Sequence, residues 1–173
     1  MKKYSVLMSV YINDNCKYLK QSIESMLSQT IKPDQFVIVE DGRLKEDCEN
    51  LIKEYEKLYP DMINVIRLKE NGGLANALNV GMKSCRNDLI ARMDADDISI
   101  KNRCEEELKM FEKYENLAVC GCNIDEFSES TEDIKLSRVV PSNYEEIIRF
   151  SKKRQPFNHP TVMMKKSIVE KCG

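Results

Sequence analysis

Residues 71–97 read Asn-Gly-Gly-Leu-Ala-Asn-Ala-Leu-Asn-Val-Gly-Met-Lys-Ser-Cys-Arg-Asn-Asp-Leu-Ile-Ala-Arg-Met-Asp-Ala-Asp-Asp. A glycine turn leads into a helix of small residues over Leu74–Ser84. A short apolar strand follows over Leu89–Met93 and runs straight into three carboxylates. Upstream, the same alternation repeats. Val6–Tyr11 is a buried strand, and Tyr18–Gln29 is a helix with Leu19, Ile23, Met26 and Leu27 on one face. Pro33 ends that helix, and Gln35–Glu40 forms a second strand around Phe36-Val-Ile-Val39. Glu46–Tyr59 is helical, Pro60 stops it, and Ile63–Leu68 is a third strand.

Downstream, Ser99 is positioned to cap a helix reaching about Tyr114, where Glu105 and Lys109 stand four apart. Ala118–Cys122 reads as a fifth strand, and Ser142-Asn-Tyr-Glu145 as a capping box opening a helix to about Ser151. Thr161–Met164 is a short strand, and Ser167–Lys171 begins a last helix. A β-α-β-α-β-α-β opening predicts an α/β fold, a mostly parallel sheet with helices on both faces. Ligands of such sheets sit at the carboxyl ends of the strands. Those ends carry Tyr11 with Asn13 and Asp14, then Glu40-Asp41-Gly42, then Asn71-Gly72-Gly73, then Asp94 to Asp97. Three of the four are acidic, which suits a cation and sugar hydroxyls better than a bare phosphate.

Composition narrows the class. The 173 residues are 42% hydrophobic and 32% charged, with a net charge of −2, so no basic nucleic-acid groove or polybasic membrane patch is expected. No apolar run is long enough to span a bilayer, and the amino terminus turns polar too early for a signal peptide. A cytoplasmic protein is expected. The seven cysteines, 16, 48, 85, 104, 120, 122 and 172, are irregularly spaced and accompanied by one histidine. That pattern predicts reduced thiols filling small buried spaces, not a zinc site or a disulfide framework.

Three like charges within four residues repel one another and gain from a counter-ion. In an extended segment residues 94 and 96 point the same way, so their oxygens could converge on one hard divalent ion, Mg²⁺ or Mn²⁺. The plainer alternative is a surface turn capping the helix that follows.

Ser5-Val-Leu-Met-Ser-Val-Tyr11, Val39-Glu-Asp-Gly42, Asn71-Gly-Gly-Leu-Ala-Asn-Ala-Leu-Asn79 and Ala91-Arg-Met-Asp-Ala-Asp-Asp-Ile98 resemble, in order and spacing, the successive motifs of the family 2 glycosyltransferases. Pro156-Phe-Asn-His-Pro-Thr-Val-Met-Met164 resembles a segment of the amylovoran-type subgroup that builds bacterial exopolysaccharide. The resemblance runs nearly end to end. It implies an inverting enzyme of the GT-A, Rossmann-like fold, residues 1–173 forming one such domain. It also implies a nucleotide-sugar donor, UDP-sugar favoured, and Mn²⁺ or Mg²⁺ as cofactor. The acceptor would be a glycan or lipid-linked, with peripheral association of the full protein at the inner membrane face.

Carried over by position, Tyr11 would flank the base and Asp41 would hydrogen-bond it. Asn71 would bring backbone to the ligand, and Asp94, followed by Ala95, would contact ribose or sugar. Asp96 would ligate the metal, Asp97 would join it or hold the loop, and Asn158 and His159 would line the acceptor side. The structural alternatives are a core aromatic for Tyr11, an Asx turn with Gly42 for Asp41, and a simple turn for 71–73. Where many relatives carry an arginine this chain has Leu78, a loss that Arg92 or Arg103 could offset unless each pairs with a carboxylate.

Inversion needs a general base to deprotonate the acceptor. The resemblance puts it in a Glu-Asp pair beyond Gly173, so the domain is expected to lack its C-terminal part here and to bind donor without efficient transfer. Asp125-Glu126 lies too early and reads as a surface pair.

Rival classes fit less well. A dinucleotide oxidoreductase or a nucleotidyltransferase would place a glycine-rich loop after the first strand, where this chain has Tyr11-Ile-Asn-Asp-Asn-Cys16. An aspartyl phosphatase would put its acidic pair after the first strand, and a response receiver would need an aspartate ending the third. A nucleotide-sugar-binding module without catalysis stays open.

Overall fold

The computed structural model describes residues 2–128 and 130–172. Its sheet is built from β1 (Tyr4–Val10), β2 (Gln35–Glu40), β3 (Ile63–Arg67), β4 (Leu89–Met93), β5 (Val119–Cys120) and a late strand, Met163–Lys165. The helices between them are α1 (Cys16–Leu27), α2 (Glu46–Leu58), α3 (Leu74–Ser84) and α4 (Arg103–Lys113). A hairpin of β6 (Ile124–Phe127) and β7 (Ile134–Arg138) stands apart from the sheet. Next come α5 (Tyr144–Ser151), a 3₁₀ turn over His159–Thr161, the late strand (β8) and α6 (Lys166–Cys172).

The six strands run in the order β3-β2-β1-β4-β8-β5. The first four are parallel, and β8 is antiparallel to both β4 and β5. This is the mostly parallel α/β sheet expected. The central strands β2 and β4 are buried at every residue, which is why they read as continuous apolar runs and not as alternating ones.

Alternation instead sorts side chains between two cores. Val6, Met8, Val10, Phe36 and Ile38 pack on one face with Leu19, Ile23 and Met26 of α1, Ile52 of α2 and Phe111 of α4. Leu7, Val37, Val39 and Ile90 pack on the other with Ala77 and Met82 of α3 and, from α6, Val169. The register Val6↔Phe36, Leu7↔Val37 keeps each set on its own side. Helix α3 lies close enough that a Cβ on Gly81 would overlap Leu7 and Val39, which accounts for its small residues.

Several local expectations are corrected. Helix α4 starts at Arg103, not just after Ser99. Ser99 is buried, and its N–H donates to Ser25 Oγ at 3.1 Å. The cap of α5 is Asn143, which accepts from the Glu146 N–H at 3.0 Å, one residue later than the capping-box reading. The fifth strand shortens to Val119–Cys120, and Thr161 falls in the 3₁₀ turn instead of the strand. The β6–β7 hairpin was not anticipated. The helical pair Glu105–Lys109 forms as expected, at 2.9 Å.

Candidate active site

Strands β1, β2 and β3 grow in one direction across the sheet and β4 adds on the other side of β1. The topological switch point therefore lies between β1 and β4, at their carboxyl ends. Two segments flank it: the turn from Tyr11 to Asn15 and the acidic run from Asp94 to Asp97.

The turn after β1 is closed by its own atoms. The Tyr11 N–H donates to Asp14 Oδ2 at 2.8 Å, and the Asp14 N–H donates back to the Tyr11 carbonyl at 3.1 Å. Tyr11 is 43% exposed, so it is not the core aromatic of the plainer reading. Burial pushes the Asp14 carboxyl up, opposed by its bond from Tyr11 and reinforced by the charges of Asp96 and Asp94 across the switch point. Asp14 thus belongs to the same electrostatic site. Its place at a strand end was visible in the sequence; its closeness to residues eighty positions away was not.

In the acidic run the three carboxylates are treated differently. Asp94 is held by both terminal nitrogens of Arg92, with Nη1 donating to Oδ2 at 2.6 Å and Nη2 to Oδ1. Arg92 is 2% exposed and two positions earlier on β4, so a buried fork fixes the orientation of the aspartate. The Asp94 carbonyl accepts from Ser22 Oγ at 2.6 Å, tying the run to α1. The chain then turns at Ala95-Asp96, which replaces the extended segment expected there. The Ala95 methyl is buried in the core, which leaves its backbone as the part at the site's edge. Asp96 is exposed and Asp97 half-buried. Among the described residues neither carboxylate has a hydrogen-bond or ion-pair partner. Burial first, then repulsion from Asp94 and Asp96, pushes the Asp97 carboxyl up to about 6.

Among the described residues the three carboxylates do not close on one point within 4.8 Å as the convergent reading expected, but Asp96 and Asp97 leave unpartnered hard oxygens of the kind that could take Mn²⁺ or Mg²⁺.

The floor beneath this run is polar and buried. Arg103 donates to the Arg92 carbonyl at 2.9 Å and pairs with Glu107 at 3.3 Å. Burial raises the Glu107 carboxyl against the pull of Arg103. Gln29 spans α1 and α4, donating to the Ile100 carbonyl at 2.8 Å and accepting from the Cys104 N–H at 3.0 Å. Neither Arg92 nor Arg103 is free to replace the arginine missing at Leu78. Both are paired with carboxylates, and Leu78 packs against the α3 core.

The far wall is built by Asp41. It is 3% exposed, and its two oxygens accept the N–H groups of Gly72 at 2.8 Å and Gly73 at 3.0 Å. Asn71 Nδ2 reaches the Asp41 carbonyl at 3.3 Å. Gly42 and Gly73 take φ of 82° and 83°, and a Cβ on Gly42 would lie 2.7 Å from the Asn71 nitrogen. Instead of an Asx turn onto Gly42, Asp41 clamps the Asn71–Gly73 loop across the mouth of the sheet.

On the opposite side, the 3₁₀ turn brings His159 to the end of β4. Burial and then Arg92 push the imidazole down, while Asp94 partly restores it. Asn158, expected beside it, is buried instead. Its amide donates to the Cys122 carbonyl at 3.0 Å and the Arg138 carbonyl at 3.4 Å, which ties the hairpin to the turn. Asp125 and Glu126 lie on the exposed hairpin strand β6, and Glu126 pairs with Arg138 at 2.8 Å. That is the surface pair the sequence suggested. Among the described residues, no helix is long and apolar enough to cross a membrane.

The mixed, mostly parallel α/β sheet is the fold of the GT-A glycosyltransferases. A mannosyltransferase from Pyrobaculum calidifontis, solved with GDP-Man and Mn²⁺, superposes with a TM-score of 0.71 at 14% identity, over 99% of this chain and 46% of that one.

The sequence comparisons agree. The description "Glycosyl transferase family 2" matches residues 5–173, and the chain belongs to that family. It is 34% identical to the Escherichia coli UDP-Gal:alpha-D-GlcNAc-diphosphoundecaprenol beta-1,3-galactosyltransferase, over 99% of this chain and 61% of the relative. It is 33% identical to the amylovoran biosynthesis glycosyltransferase AmsE of Erwinia amylovora, over 98% of this chain and 62% of the relative. The chain thus spans a little under two thirds of the length of these curated relatives.

Proposed function

We propose that this chain is the donor-binding part of a metal-dependent, inverting glycosyltransferase of bacterial polysaccharide synthesis. The observation that carries the reading is the division within the acidic run. Arg92 neutralises and orients Asp94, while Asp96 and Asp97 keep unpartnered carboxylates at the switch point. Asp96 and Asp97 would hold Mn²⁺ or Mg²⁺. When bound, that ion supplies charge neutralisation for the donor diphosphate and for the leaving group.

The chain's own residues do the rest. Tyr11 offers an exposed ring on which a nucleobase stacks. Asp94, locked by Arg92, accepts hydrogen bonds from ribose or sugar hydroxyls in one fixed direction. Asp41 acts through the loop it clamps, setting the Asn71–Gly73 backbone as the pocket wall. His159, exposed beside Asp94, faces the acceptor side and can hydrogen-bond there. UDP-sugar is the favoured donor, a preference that the name of the Escherichia coli relative shares. The acceptor is a glycan or a lipid-linked glycan, met by a cytoplasmic protein at the inner face of the membrane.

Titration calorimetry with UDP, with and without Mn²⁺, tests this reading. Binding should need the ion and should fall away in Asp96→Ala. Binding indifferent to both the ion and the substitution would sink it.

A further inference from the structure

Helices α1 and α2 begin side by side, and their first turns carry chemistry that donor binding does not use. Cys16 is the first residue of α1, and Asp47 and Cys48 lie in the first turn of α2. One ligand atom from each, two sulfurs and a carboxylate oxygen, all lie within 4.8 Å of one another. Both thiols are free.

We propose that Cys16, Asp47 and Cys48 form a binding site for a borderline-soft divalent ion of the zinc class, separate from the hard-ion site at Asp96 and Asp97. The donor set is the first argument. Two thiolates with one carboxylate select zinc over Mn²⁺ or Mg²⁺, and three protein ligands leave a fourth, tetrahedral position for water. Cys48 is buried, Cys16 half-buried and Asp47 exposed, so the open side faces solvent and gives the ion a way in.

Charge is the second argument. Burial pushes the Cys48 thiol up to about 12, so an ion must displace its proton; the resulting set of two thiolates, one carboxylate and a divalent ion carries a single negative charge, which the positive N-terminal ends of α1 and α2 favour. Lys45 is the nearby cation, and its Nζ donates to the Asp14 carbonyl at 3.2 Å. It opposes a free metal ion but attracts the net-negative complex.

The ligands are also held in place. Asp47 Oδ1 accepts the Cys48 N–H at 2.9 Å, and the Cys48 thiol donates to the Asp14 carbonyl at 3.9 Å, a contact it would give up on losing its proton to the ion. An ion here would staple the first turn of α1 to the first turn of α2. The site does not depend on the donor reading.

The test is competition between the reduced, metal-free chain and a chromophoric chelator for Zn²⁺. One ion per chain is expected. Cys16→Ser and Asp47→Asn, both away from the deep core, should weaken it by more than the roughly 10- to 100-fold that loss of an outer-shell partner costs. Asp96→Ala should leave it unchanged. With Co²⁺ as probe, a thiolate-to-cobalt charge-transfer band should appear in the parent and vanish in Cys16→Ser, whose melting curve without metal should match the parent's. Failure of the parent to bind Zn²⁺, or Zn²⁺ affinity and a cobalt band that survive in Cys16→Ser, would overturn the proposal.

Discussion

Replacing Asp41 by asparagine separates a residue that shapes the donor pocket from one that touches the nucleotide. The carboxylate is 3% exposed and accepts two backbone N–H groups, from Gly72 at 2.8 Å and Gly73 at 3.0 Å. Asparagine keeps one acceptor oxygen and turns an NH₂ group toward the other N–H. That N–H then has no partner, at a cost of about 1–3 kcal/mol, and the surviving bond loses its charge assistance, about 1 kcal/mol more. The expected loss is therefore about 2–4 kcal/mol, equivalent to a fall in Tm of roughly 4–16 °C for a chain of this size. Urea unfolding followed by circular dichroism measures the loss, and calorimetry with UDP well below the transition measures binding. Both should decline, binding because the Asn71–Gly73 wall is no longer set. An unchanged unfolding midpoint together with lost UDP affinity would refute the clamp and make Asp41 a direct ligand contact.

Two further substitutions probe the acidic run and the packing behind it. In the metal-free chain the Asp97 carboxyl stands at about 6 against an ordinary 3.8, so the folded state holds its proton more tightly than the unfolded state does. The resulting penalty is full above about pH 6 and is relieved as the pH falls toward about 4. Asp97→Asn should therefore raise the Tm of the metal-free chain near neutrality, with the gap closing across that window. A gap that stays constant on acidification would count against the shift. Gly81→Ala sets a gain in helix propensity of about 1 kcal/mol against overpacking of about 1–3 kcal/mol where the methyl meets Leu7 and Val39. A net loss of about 1 kcal/mol is expected on thermal melting, and a variant more stable than the parent would show that α3 is not seated so closely on the sheet.

The parts of this fold that could be read from sequence are those where one residue's neighbours are dictated by period. Strands β2 and β4 are buried on both faces and announce themselves as apolar runs, and acids at strand ends mark the rim because strand ends are where parallel sheets bind. The parts that could not be read depend on partners far along the chain. Asp41 is satisfied by glycines some thirty residues later, and Asn158 by carbonyls of Cys122 and Arg138. Ser99 looked like a cap but is drawn inward by Ser25. The β6–β7 hairpin left little trace because Ile124-Asp-Glu-Phe127 does not alternate and Ile134-Lys-Leu-Ser137 alternates over four residues only. Cys16 and Cys48 looked like isolated thiols because the packing of α1 beside α2, not their spacing, unites them.

The acidic run, by contrast, is ordered by a buried arginine close by in sequence. A carboxylate at the end of β4 could be stabilised by the metal alone, and desolvating Arg92 to 2% exposure with its Nε unpartnered is costly. Stability is therefore a poor account of the Arg92–Asp94 pair, and orientation a better one. With Asp94 locked from below, and Arg92 itself held at its carbonyl by Arg103, one acid keeps a fixed direction whether or not an ion is present. On the proposed reading, Asp96 and Asp97, without protein partners among the described residues, can adjust to an ion and to the phosphates it carries. Three identical side chains are thereby divided into one rigid acceptor and two whose oxygens stay unpaired, and the residue that divides them is two positions back on the strand.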